Sequence, residues 1–226
     1  QPEGIWVTGM GEVFITPDIA TLNLGIASQE ATVAEAQAKA AEAMDKVMQA
    51  LKDNGIEAKD IQTGHFSISQ RSRWDDMKQT EVVTGYYVTN MVTVKIRNTA
   101  GSDDETGLND RAGKVIDAVI LAGGDLIRIN GINFTVDDPA QYYQEVREKA
   151  MTAAKEKAED LAELAGLTLG KPTYILENAQ YTPIYGGYAN FAMAVPAPTI
   201  SAGSTSISSG QTSITLTVQV TYSVTK

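Results

Sequence analysis

The chain has 226 residues, 43% of them hydrophobic and 20% charged, and its 18 Lys+Arg stand against 28 Asp+Glu for a net charge of −10. A chain of this size and balance buries about 70% of its unfolded surface without a metal or disulfide staple, which excludes collagen and intrinsic disorder for most of its length. With no cysteine it lacks disulfides, thiolate metal sites and cysteine nucleophiles, and with an acidic balance and no Lys/Arg cluster along the sequence it is not expected to bind nucleic acid or an anionic membrane surface.

No run of 18 apolar residues occurs, so no helical membrane span is expected. The sequence opens Gln1-Pro2-Glu3. A removed signal peptide would leave such a start, and so would trimming of the chain.

Residues 4–16 and 19–28 are expected strands. In the second, Ala20, Leu22, Leu24 and Ile26 alternate with Thr21, Asn23 and Gly25. Thr16-Pro17-Asp18 between them is turn chemistry, so the two are expected to form a hairpin. Residues 31–53 form a helix with the apolar stripe Val33, Ala36, Ala40, Met44, Val47, Met48 and Leu51. Glu35–Lys39 and Glu42–Lys46 are spaced as surface ion pairs, and Asn54-Gly55 closes the helix with glycine in the left-handed position.

Two further strands follow at 61–74 and 81–97. Val82, Tyr86, Val88, Val92, Val94 and Ile96 share one face of the second, and the polar segment 74–79 is the tip between them. Residues 98–107 read as a polar loop. A helix at 108–122 turns Val115, Val119 and Leu121–Ala122 to the core and stops at Gly123-Gly124. In the strand at 126–136 the apolar phase slips between Ile129 and Ile132, which predicts a β-bulge at Asn130-Gly131. The longest helix covers 139–165, with Asp138 as its cap, Pro139 in its first turn and the stripe Tyr143, Val146, Ala150, Ala154, Ala158, Leu161 and Ala165. Gly166 ends it and a short strand follows at 171–177.

The C-terminal stretch differs in kind. Asn178 to Thr225 contains no Asp, Glu, Lys or Arg. Tyr181, Tyr185, Tyr188 and Phe191 lie in its glycine-bearing first part, Ser201–Gly210 reads as a flexible link, and Ile214, Leu216, Val218, Val220, Tyr222 and Val224 alternate with polar residues in a long terminal strand. Three times a helix ends at glycine and a strand follows, which predicts an α+β (mixed α/β) fold of duplicated β-α-β-type units, three helices on an antiparallel or mixed sheet. One domain spans 1–226, with two lobes near 1–98 and 99–226 and a charge-free arm at 181–210.

The order of several motifs carries a resemblance: Val7-Thr8-Gly9-Met10-Gly11-Glu12-Val13 before Pro17-Asp18, Leu51-Lys52-Asp53-Asn54-Gly55-Ile56 before Asp60-Ile61-Gln62-Thr63, Gly131-Ile132-Asn133-Phe134, and Ala150-Met151 through Ala158-Glu159-Asp160-Leu161-Ala162. The chain resembles the SIMPL-domain family over residues 4–180 and the last strand. The resemblance implies an exported, periplasmic protein of mixed α/β fold, no catalytic residues to transfer, and a loose link to oxidative-stress tolerance.

No constellation names a reaction. His65 is the only histidine, set on the opposite face of its strand by a phase that turns Phe66 and Ile68 inward, and no Gly-x-Ser-x-Gly elbow exists, so a Ser-His-Asp triad has no support. The acidic clusters Asp75-Asp76, Asp103-Asp104-Glu105 and Asp137-Asp138 lack the spacing of a calcium loop. Gly9-Met10-Gly11 lacks the rest of a dinucleotide fingerprint. No catalytic residue, cofactor or metal is expected. Met10, Met77 and Met193 are the methionines best placed to react with oxidants, with core packing the commoner use of the residue. A charge-free aromatic segment beside a long strand suits docking on a neighbouring copy, so Tyr181, Tyr185, Tyr188 and Phe191 are the expected contacts of a homo-oligomer larger than a dimer, closed as a ring where such contacts repeat head to tail. The alternative is an envelope hydrolase or oxidoreductase with an unrecognised site.

Overall fold

A computed structural model describes residues 4–98, 105–178 and 205–226. Its elements follow in the order β1 (Ile5–Ile15), β2 (Ile19–Glu30), α1 (Val33–Asp53), β3 (Ile61–Asp75), β4 (Thr80–Arg97), α2 (Glu105–Gly123), β5 (Ile127–Thr135), α3 (Tyr143–Leu164), β6 (Thr168–Asn178) and β7 (Thr212–Thr225), which is the expected α+β class. Two antiparallel sheets result, one in the order β3-β4-β2-β5 and one in the order β1-β7-β6. They belong to two compact units. One unit gathers residues 4–17, 136–178 and 210–226, and the other residues 18–98, 105–135 and 205–209. The division therefore runs elsewhere than residues 98/99, because each unit is assembled from separated stretches of chain.

The expected hairpin of the first two strands does not form. β1 pairs along its whole length with β7, from Ile5 opposite Tyr222 to Ile15 opposite Thr212. β2 pairs with β4 and with β5. Thr16-Pro17-Asp18 passes the chain from one sheet to the other. Turn chemistry fixes a local change of direction and says nothing about which strands then pair.

In the four-stranded unit, α1 and α2 pack together on β2 and β4. Thr32 caps α1, its Oγ1 accepting from the Glu35 amide. Lys46 pairs with Glu42 at 2.7 Å, whereas Lys39 reaches Glu30 of β2 instead of Glu35. Gly55, at φ +73°, ends the helix in the left-handed region as expected. Ala20, Leu22, Leu24 and Ile26 of β2 meet Val88, Val92, Val94 and Ile96 of β4 and the α1 stripe in one core. β2-α1-β3 and β4-α2-β5 are crossovers between parallel strands with an antiparallel strand seated between them. The bulge arises where the phase slip put it: Asn23 faces Gly131 and Leu24 faces Ile129, leaving Asn130 unpaired and Gly131 at φ +152°.

α2 begins at Glu105, three residues earlier than expected, and the loop at 99–104 lies outside the described residues. Leu108, Ala112, Val115, Ile116 and Val119 make its buried stripe, while Leu121 is 87% exposed. Two residues past Val119 the helix has turned about 200°, which takes Leu121 to the wet side.

In the three-stranded unit, α3 covers one face of β1 and β7. Asp138 accepts from the Ala140 amide and Pro139 opens a 3₁₀ turn that leads into the α-helix. The buried stripe is Val146, Ala150, Ala154, Ala158 and Ala162. It stays on strict four-residue steps, so Leu161 and Ala165 lie outside it. These small residues let the helix descend onto Gly9 and Gly11 of β1, where an added Cβ at Gly11 would lie 2.8 Å from the Ala150 amide nitrogen. Lys157 and Lys149 of α3 donate to the carbonyls of Thr8 and Glu12, at 2.9 and 3.3 Å, occupying acceptors along the edge of β1.

Arg147 of α3 holds Glu177 of β6 with two bonds, at 2.8 and 3.0 Å. Those hydrogen bonds keep the Glu177 carboxyl below its ordinary 4.5 and the Arg147 charge acts the same way, against burial that pushes it up. A depressed carboxylate stabilises the fold above 4.5, and its contribution is lost as pH falls through the lowered value. The pair is part-exposed, so the effect is small. Arg147→Gln is expected to bring the Glu177 midpoint in a carboxyl NMR titration back toward 4.5, and the stability gap between parent and variant should narrow from about pH 7 to about pH 3. A gap that does not change with pH would show that the pair contributes nothing through charge.

Candidate interaction surfaces

The histidine that any triad would need stands apart. His65 is exposed on β3, opposite Met91 of β4. Phe66 and Ile68, expected to point inward, are 53% and 42% exposed. β3 is an edge strand and the two helices pack over β2 and β4, so the alternation of β3 has nothing to bury against. The acidic residues have local duties. Asp75 accepts from the amides of Met77 and Lys78 in the β3–β4 turn, and Asp138 caps as described. Asp103 and Asp104 lie outside the described residues, and among the described residues no group of three His, Asp or Glu converges as a metal site. A groove of about 480 Å³ in the three-stranded unit lies between Met151, Lys155 and Glu159 of α3 and Lys171, Pro172 and Tyr222, and its Lys155 and Glu159 are an i,i+4 surface pair at 3.5 Å.

The surfaces that stand out are the two sheet faces turned away from the helices. Cross-strand partners share a face. On β1-β7-β6 the outer rows are Trp6–Thr221–Tyr174, Thr8–Gln219–Leu176 and Met10–Thr217–Asn178, and Phe14 follows opposite Ser213. Trp6 is 67% exposed, Phe14 66%, Met10 59%, Tyr174 56% and Leu176 44%. The result is a polar central strand flanked by apolar side chains on both neighbours.

On β3-β4-β2-β5 the outer face is polar. His65, Ser67, Ser69, Arg71 and Arg73 alternate along β3 on this side, beside Tyr87, Thr89, Met91, Thr93 and Lys95 of β4. One row crosses all four strands as His65–Met91–Gly25–Arg128. Arg71 lies 4.9 Å over the Tyr87 ring. The sequence has no basic run, yet the sheet gathers Arg71, Arg73, Lys95 and Arg128 on one side. The period-two placement of arginine on β3 was legible. The contributions of β4 and β5 needed the strand order.

Tyr181, Tyr185, Tyr188 and Phe191 lie outside the described residues. The end of the arm is described and belongs to the four-stranded unit. Thr205 bonds to Asp117 of α2 through its amide, at 3.2 Å, and through its hydroxyl, at 2.5 Å. Ile207 packs against that unit's core. The Ser/Gly stretch is therefore pinned from Thr205 onward by its own α2.

Residues 5–222 match the family model for SIMPL, described as a protein of unknown function (DUF541). The chain belongs to the SIMPL family. Two relatives bear the name 26 kDa periplasmic immunogenic protein, one from Brucella melitensis biotype 1 and one from Brucella abortus strain S19. Each is 33% identical over 234 residues, an overlap that takes in 99% of this SIMPL chain and 86% of the relative. The SIMPL protein described here is accordingly periplasmic. Among the described residues no helix is long and apolar enough to cross a membrane.

Proposed function

We propose that the protein is a non-enzymatic, antigen-like periplasmic protein that assembles with copies of itself into a homo-oligomer larger than a dimer. The observation that carries this reading is the uncovered face of β1-β7-β6, with Trp6, Met10, Phe14, Tyr174 and Leu176 all in water. Each Å² of such surface removed from water yields about 25 cal/mol, so covering five large side chains supplies several kcal/mol. Tyr181, Tyr185, Tyr188 and Phe191 follow β6 directly in a segment without charge, which gives a neighbouring copy aromatic surface with no ion to desolvate. Repetition of one such contact around an axis closes a ring. The names of the two Brucella relatives support the exported, antigen-like part of the reading. Met193 lies outside the described residues, and among those described Met10 and Met77, 59% and 97% exposed, are the thioethers an oxidant in the envelope would meet first, which is what a role in oxidative-stress tolerance asks of them.

Size-exclusion chromatography with light scattering tests the assembly. The parent is expected at more than twice the 24.2 kDa of one chain. Trp6→Ser/Phe14→Ser should give a smaller species with unchanged circular dichroism. So should replacement of 183–203 by a short Gly/Ser bridge, a deletion that leaves Thr205 and Ile207 in place. A parent that is monomeric at micromolar concentration, or variants that keep its mass, would sink the reading.

A further inference from the structure

We infer that the outer face of β3-β4-β2-β5 is a binding surface for an extended anionic polysaccharide. The inference stands apart from self-assembly, since this face lies on the other sheet and has the opposite chemistry.

Three observations converge. The first is charge. The chain carries ten more acids than bases, yet the ionised side chains in the rows of this face are Arg71, Arg73, Lys95, Arg97 and Arg128, with Asp75 at the end of β3. Arg97 is bonded to Asp60 at one end, and at the other Asp75 already accepts two amides of its own turn and lies 3.9 Å from Lys78, so the cations that carry the argument are Arg71, Arg73 and Arg128. A cationic face on an acidic protein draws polyanions to itself and turns them from the rest of the surface.

The second is shape. Gly25 and Ala27 are the middle of the face, and the Met91 sulfur lies only 2.5 Å from where a Cβ at Gly25 would stand. The thioether therefore lies flat across β2. A shallow trough runs between the β3 column and Arg128, some three strand spacings or about 15 Å wide. Along β3 the stripe from His65 to Arg73 spans about 27 Å, enough for an extended polymer to lie along.

The third is the kind of polar group. Ser67, Ser69, Thr89, Thr93, Asn23, Gln29 and Gln62 present hydroxyls and amides between the cations, and these pair with sugar hydroxyls in either direction. Arg71 and Arg73, both exposed, have the planar fork that matches a carboxylate or sulfate. The face does not suit single-stranded nucleic acid, which needs successive open aromatic rings to stack upon. Its phenol ring, Tyr87, is already covered by Arg71. A periplasmic protein works beside acidic envelope glycans, so the class of ligand is at hand.

The test is calorimetric titration of the full chain with an oligogalacturonate of about ten units, with a neutral maltooligosaccharide of equal length and a single-stranded oligo-dT as the other arms. The galacturonate is expected to bind, with log K falling as log salt rises, and the neutral glycan to show no heat. Arg71→Glu/Arg73→Glu should weaken galacturonate binding at least about tenfold. Lys114→Glu/Lys155→Glu, the same change in net charge on helices, should leave it unchanged. Both arginines are exposed, and circular dichroism checks that the variant folds. Equal binding of the neutral glycan, tighter binding of oligo-dT, no binding of galacturonate, or an arginine variant that binds as the parent does would each overturn the inference. A fall in the mass of the arginine variant by light scattering would overturn it too, since the face would then be covered by another copy.

Discussion

Gly11→Ala is expected to destabilise the three-stranded unit by about 3 kcal/mol, near the upper end of what overpacking does. The added methyl has no room. It would run into the Val146 carbonyl, with the Ala150 amide nitrogen 2.8 Å away, and both belong to the backbone of α3. A flexible side chain moves aside, whereas a helical carbonyl moves only with its helix. Gly9 is the same contact one turn along: its Cβ would meet the Ala154 amide at 2.6 Å and the Ala154 methyl at 2.7 Å. Denaturant unfolding of Gly11→Ala followed by circular dichroism reads the effect, which for a chain of this length corresponds to roughly 10 °C in midpoint temperature. A loss under about 1 kcal/mol would mean that α3 lifts off β1 at little cost.

Leu24→Ala should remove a similar amount, about 3–4 kcal/mol, from the other unit. Leu24 is fully buried at the centre of β2, between Val92 of β4 and Ile129 of β5, with α1 and α2 packed in the same core. Two neighbouring strands and a layer of helices hold the walls, so the hole left by three methyl-sized groups collapses only partly. Unfolding measured as for Gly11→Ala checks it. A change near 1 kcal/mol, the size of an ordinary surface effect, would show that the core refills the gap.

These two sites also mark what the sequence disclosed. β2 and β7 alternate strictly and α1 carries a stripe at helical spacing, so each announced both its conformation and its buried side. The bulge at Asn130-Gly131 was visible because one inserted residue reverses the apolar phase. Strand partners were not visible: β1 and β2 are joined by a good turn and yet pair with β7 and β4. Phe66 and Ile68 misled because the fate of an apolar strand residue depends on whether a helix lies above it, and Leu121 because two residues past Val119 carry α2 round to its wet side. The uncovered face with Trp6, Met10 and Phe14 was likewise hidden, since alternation along β1 shows two faces and only the position of α3 tells which stays open. The aromatic arm was conspicuous by composition, and its anchor at Thr205 and Ile207 was not, because Asp117 lies 88 residues away.

The strand at the middle of the three-stranded sheet has a consequence for the order in which the molecule is made. β7 is flanked by β1 and β6, and Ile5 waits for Tyr222. On the ribosome β1 emerges first and stays without a ladder until every other element has been synthesised. The four-stranded unit has all its helices and strands by residue 135 and closes early. Pairing across so long a stretch is slow, because loop closure must precede any gain from contacts. One half of the protein is therefore held open until its last strand has been made, and the solvent-facing apolar residues of β1 wait in that interval without a sheet to join.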